Sequence, residues 1–145
     1  MNNEKKAPVR QIIFRGLRVD GKGWAYGDYF NTSKSSICKF LPTIIENGGM
    51  NPIDFHLVQP QSIGQLSDSV DKNDKQIWEG DVVKFNNRVY TVIYRDSCFF
   101  IISEALEHWI YTLYSCDSIE IEVIGNIHEE SYINSIEGKE TKGNG

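Results

Sequence analysis

From Val82 to Ile127 the chain repeats one pattern, a short apolar run followed by a tight polar turn. Val82, Val83 and Phe85 open the series and Asn86-Asn87 turns it. Val89 to Tyr94 returns, Arg95-Asp96-Ser97 turns again, and Cys98 to Ile102 follows. Asn, Asp and Ser suit such turns because their short polar side chains bond the local backbone, and Asn and Asp tolerate positive φ. Apolar runs this short fit strands better than helices, which need a 3.6-residue period sustained over about ten residues or more. Trp109 to Leu113 and Ile119 to Ile127 complete the set. Five strands joined by tight turns within about fifty residues predict a small β-barrel of the SH3-like kind. Glu104 to His108 reads alternatively as a helical turn, since Glu, Ala and Leu favour helix.

The first half is less regular. Gln11 to Arg18 reads as a strand carrying Ile12, Ile13 and Phe14, and Asp20-Gly21-Lys22-Gly23 as the turn after it. Trp24, Tyr26 and Asp28 then alternate with Ala25, Gly27 and Tyr29 along a return strand. Polar Ser33 to Ser36, Pro42, Gly48-Gly49 and Pro52 break up the next stretch and leave room for one short helix. Phe55 to Pro60 and Ile63 to Leu66 read as extended. Asp71 to Gln76 makes a hairpin tip, and Ile77 and Trp78 lead back to a Glu79-Gly80-Asp81 corner. The expected class is α+β, mostly β. A flexible basic N-terminus (1–10) precedes an N-terminal α+β subdomain (11–66), which packs on an SH3-like small β-barrel (67–130). A disordered tail (131–145) follows, where hydrophobicity is lost.

Charge is unevenly distributed. Residues 1–22 carry six Lys/Arg against Glu4 and Asp20, which leaves −9 on the remainder of a chain whose total is −5. Most of the folded surface should therefore repel phosphate backbones, which argues against general nucleic-acid binding. No apolar run approaches the roughly 20 residues that cross a bilayer, and no apolar stretch of a secretory signal follows the N-terminal lysines. Cys38, Cys98 and Cys116 form no CxxC pair and are odd in number, which points to free thiols in a reducing compartment. A soluble, cytoplasmic protein without membrane association is expected.

The polar residues offer little chemistry. Glu79 and Asp81 stand two apart, a spacing that puts both carboxylates on one side of a regular strand. Gly80 between them suggests a corner instead, where short acids bond nearby backbone amides. Asp68, Asp71 and Asp74 do not follow the alternating pattern of a calcium loop, and His56, His108 and His128 lack zinc-ligand spacing. Cys98 adjoins Phe99 and Phe100, an apolar setting that favours an inert thiol. No catalytic residue, metal ligand or cofactor site is expected.

Aromatic side chains are the remaining candidates. On a strand over Val89 to Tyr94, Tyr90, Val92 and Tyr94 share one face and Val89, Thr91 and Ile93 the other, and both faces are apolar. One face lies against the core, and the other needs a cover, either the N-terminal half or a second copy. Tyr90, Val92, Tyr94, Trp109 and Tyr111 form the candidate interaction surface.

Several segments together resemble the YopX family, small proteins found mainly in bacteriophages and prophages. They are Phe14-Arg15-Gly16, Trp24 with Tyr26-Gly27, Val58-Gln59-Pro60, Ile63-Gly64-Gln65, the run Asp71 to Val83, and Val123 to Glu129. The family usually has Gly where Asp74 stands, so this turn must place Asn73 or Asp74 at positive φ or adopt another type. The stretch between Gly27 and Phe55 shows no resemblance. The resemblance implies an N-terminal α+β part and a barrel-like C-terminal part, and it brings no known activity or catalytic residue. The expected function is a non-enzymatic interaction module, phage- or prophage-encoded, that self-associates or binds a host or phage protein. The alternative is a nucleic-acid-binding accessory protein using the basic N-terminal segment and exposed barrel aromatics.

Overall fold

The alternating pattern and turn chemistry build eleven strands in the structure, a computed structural model that describes residues 11–31, 42–103, 105 and 110–129. The expectations for residues 1–10, for the tail from 131, for Cys38, for Trp109 and for most of the 104–108 turn fall outside the described residues.

Strands β1 (Phe14–Leu17) and β2 (Trp24–Phe30) form the anticipated hairpin. Strands β3 (Thr43–Ile45), β4 (Phe55–Leu57), β5 (Gly64–Val70) and β6 (Gln76–Trp78) join them in a six-stranded antiparallel sheet ordered β4-β3-β2-β1-β5-β6. The β1–β2 register sets Arg15 opposite Tyr26 and Leu17 opposite Trp24. Directly paired residues share a face, so these four side chains stand on one side of the sheet and Phe14, Gly16 and Ala25 on the other. The second face buries Ala25, Ile44 and Val58 in a small core. Gly16 is required there, because a Cβ would stand 2.8 Å from the Val58 side chain. The sheet curls until the end of β4 meets the end of β1, where Val19 N–H donates to Leu57 O and Gln59 N–H to Leu17 O.

A second antiparallel sheet holds β7 (Asp81–Phe85), β8 (Arg88–Arg95), β9 (Cys98–Ile102), β10 (Ile110–Thr112) and β11 (Glu122–Asn126), ordered β10-β9-β8-β7-β11. Its hairpins turn on Asn86-Asn87 and Asp96-Ser97, all at positive φ, the backbone twist that two-residue hairpin loops need. Of the alternatives open to the hairpin tip, the chain takes positive φ at Asp74. Ile77, Val83, Phe85, Tyr90, Val92, Ile101, Leu113 and Ile121 form the larger core.

The expected closed barrel needs correction. The five strands form an open sheet with β10 and β11 as its ends, not a closed barrel. Among the described residues there is no α-helix, only short 3-10 turns, two of them opened by Pro52 and Pro60, and the described fold is mostly β; residues 32–41 of the stretch expected to hold a short helix lie outside the described residues. The division between sheets falls between Trp78 and Asp81, because β5 and β6 pair into the first sheet. Among the described residues no helix is long and apolar enough to cross a membrane.

Candidate functional site

The corner at Gly80 joins the two sheets and fixes the site. Gly80 takes φ 89°, its N–H donates to Val92 O, and its O accepts the Ile127 N–H. These bonds bring the corner, β8 and the turn after β11 to one place. Asp81 is only 3 % exposed there, with Oδ2 accepting the Trp78 N–H at 2.8 Å. This is the backbone bonding that short acids make at corners. Glu79 does likewise, with Oε1 accepting the Gln65 N–H at 3.2 Å.

The other oxygen of Asp81 reaches across the sheets. Arg15, on β1 and 6 % exposed, donates from Nη2 to Asp81 Oδ1 at 2.7 Å and to Glu79 O at 3.4 Å. Its guanidinium lies 4.5 Å from the Trp24 ring centroid and 5.3 Å from that of Trp78. A planar, weakly hydrated cation stacks on aromatic faces better than an ammonium does, and each such contact contributes about 0.5–2 kcal/mol. Tyr26 extends the stack, its ring 5.4 Å from that of Trp78 and inclined at 59°. Among the described residues, the buried Arg15 Nε–H has no hydrogen-bond partner.

This stack is one wall of a cleft of about 500 Å³. Its lining comes from three distant stretches: Arg15, Trp24 and Tyr26; Lys75, Gln76, Trp78 and Asp81; Gly125, Asn126 and Glu129. Within the third stretch, Asn126 Nδ2 donates to Glu129 Oε1 and Asn126 Oδ1 accepts the His128 N–H, both at 2.9 Å. Volume, aromatic walls and a few convergent polar groups are the ordinary attributes of a ligand pocket. The cleft holds both signs of charge, with Arg15 already matched by Asp81.

Burial is the largest influence on the ionisable groups here. It pushes the Asp81 carboxyl up against the opposing pull of Arg15, and pushes Glu79 up against the Gln65 N–H. Burial, aided by the Arg15 charge, holds the His128 imidazole below its ordinary value. The His128 ring meets Trp24 edge-on with centroids 6.0 Å apart. With the folded value depressed, the unfolded chain binds the proton more readily, so acid weakens the fold. Stability should fall as pH drops below about 6.5, the ordinary histidine value. Thermal melts of wild type and His128→Gln across that range check it, the variant giving the flatter profile.

The residues singled out for an interaction surface do not come together as one. Tyr90 and Val92 belong to the larger core, so the Tyr90 face of β8 is the inward one. Tyr94 is exposed, Tyr111 packs half-buried against the core, and Trp109 lies outside the described residues. Tyr94 stacks on Phe99 at 4.9 Å. Cys98 and Cys116 are free and half-buried, and burial pushes the Cys116 thiol up. Among the described residues no group of three His, Cys, Asp or Glu is placed to hold a metal ion.

The cleft residues went unnoticed in sequence because each has a bland local role. Arg15 counted as part of a basic segment, Trp24 and Tyr26 as hairpin aromatics, and Glu79-Gly80-Asp81 as a corner. The signal that would have found them is that all three stretches lie in the segments that carry the family resemblance. The sequence model of the YopX protein family matches residues 13–133. No curated protein matches the chain.

Proposed function

We propose that this chain, which belongs to the YopX family, is a non-enzymatic interaction module that receives a segment of a partner protein in the cleft between its two sheets. One observation carries the reading. Three stretches distant in sequence converge to line a single open cleft, whose wall contains a buried guanidinium with an unpartnered N–H. The phage association implied by the family resemblance makes a cytoplasmic host or phage protein the natural partner. Return of β11 to pair with β7 supports an SH3-like reading of the second sheet.

Self-association has its own support. Phe30 and Leu57 stand exposed on either side of Thr43 in one cross-strand row, with Phe55 exposed beside them. A second copy laid over that face would cover these side chains, and light scattering after size exclusion would show the dimer. Nucleic acid is the weaker reading, because Asp81 and Glu129 line the cleft.

Affinity capture from the native host tests the proposal. A protein retained by wild type and by Tyr94→Ala, and depleted about tenfold by Tyr26→Ala, supports the cleft. Equal retention by Tyr26→Ala, with its melting curve unchanged, contradicts it.

A further inference from the structure

We propose that Asn47 is a self-modification site: the Gly48 nitrogen displaces its side-chain amide, and the carboxylate that results loosens the β3–β4 hairpin. The chemistry needs only water. The Gly48 backbone nitrogen bonds to Asn47 Cγ, the amide nitrogen leaves as ammonia with the proton of the Gly48 N–H, and a cyclic imide closes. Water then opens the imide at either carbonyl and gives aspartate or isoaspartate, so one water enters for each ammonia released.

Sequence and fold both single out Asn47. The attacking nitrogen must carry a proton to lose and must not be shielded by its own side chain. Among the described residues, Asn47 alone of the asparagines precedes a glycine. Asn51 precedes Pro52, whose nitrogen has no hydrogen. Asn47 and Gly48 stand exposed between β3 and β4. Beyond the adjoining residues, nothing lies within 4 Å of where a Gly48 Cβ would stand, so the ring has room to close. Asn47, Gly48 and Gly49 take φ of 51°, 71° and 71°, a run of left-handed backbone outside the sheet's hydrogen-bond ladder.

The surroundings give the change a consequence. Asn47 Nδ2 donates to Asp54 Oδ1 at 3.5 Å, and Asp54 Oδ2 accepts the Asn51 N–H at 3.0 Å. Asp54 is buried, and its O accepts the Glu46 N–H at 2.9 Å, which ties the two ends of the connection together. Conversion replaces a donor by a second carboxylate facing the first, and like charges this close disfavour the folded arrangement. The isoaspartate product also lengthens the main chain by one carbon inside the turn that Gly49 N–H closes on Glu46 O. Glu46 Oε1 accepts the Tyr26 N–H at 3.2 Å, so the disturbance reaches the strand that walls the cleft.

Storage of the full chain in mildly alkaline buffer, followed by peptide mass mapping, tests the site. Conversion of amide to carboxylate should be several-fold faster at Asn47 than at Asn73, which is followed by Asp74. Conversion at Asn47 no faster than at Asn73 overturns the site. Thermal melts of freshly purified variants test the consequence. Asn47→Asp should lower the melting midpoint, and should lower it less in a chain that already carries Asp54→Asn, where the facing charge is gone. An equal loss in both backgrounds, or none in either, overturns the proposed loosening.

Discussion

Replacing Arg15 by alanine should lower the free energy of unfolding by about 3–5 kcal/mol, the usual consequence of stranding one member of a buried ion pair. Asp81 would keep the Trp78 N–H but lose its 2.7 Å contact with the guanidinium, at a position almost closed to water. Trp24 and Trp78 would lose the group between them. Arg15→Lys should recover part of the loss, since an ammonium keeps the charge but lacks the planar fork. The double change Arg15→Met with Asp81→Asn should be less destabilised than Arg15→Ala, because it removes both buried charges while an amide oxygen can still accept the Trp78 N–H. Urea unfolding of the four proteins checks this. A loss below about 1 kcal/mol in Arg15→Ala would mean that the pair behaves like a surface salt bridge.

Asp71→Ala should be the next most damaging change, at about 2–3 kcal/mol. Asp71 Oδ1 accepts the N–H groups of Asn73 and Lys75, closing the hairpin tip, while Oδ2 accepts the Val123 N–H at 2.9 Å and ties that tip to β11. Burial pushes this carboxyl up, but the N–H groups of Val123, Lys75 and Asn73 together outweigh it and hold it below its ordinary value. The folded chain therefore releases this proton more readily than the unfolded chain. The stabilisation is fully present above the ordinary aspartate value near pH 4 and is lost as pH falls through the lower folded value. Asp71→Asn should retain some of the hydrogen bonds and lose that pH dependence, which unfolding curves above and below pH 4 would reveal.

The second sheet was legible because its information is local. Asn86-Asn87 and Asp96-Ser97 encode their turns in the residues that make them, and period-2 runs place each strand. What periodicity leaves open is which face of a two-sided apolar strand turns inward. Along β8 both faces are apolar, and only packing against Ile101, Leu113 and Ile121 decides that Tyr90 and Val92 are core. The cleft lay beyond reach for a different reason. Arg15 and Asp81 are 66 residues apart, and nothing near either one announces the other. The Glu79-Gly80-Asp81 corner was read correctly as a site of backbone hydrogen bonds. Its further use, receiving a guanidinium from the first sheet, depends on how the two sheets dock.

We propose that partner binding belongs to the cleft and not to the outer aromatics of the second sheet. Tyr26 and Tyr94 are equally exposed, at 45 % each, so they make a matched pair of probes. A photo-crosslinking phenylalanine analogue placed at either position in the native host, with adducts compared at equal expression, gives the most direct measurement. A discrete protein adduct is expected from position 26 and none from position 94. An adduct from position 94 alone would contradict it.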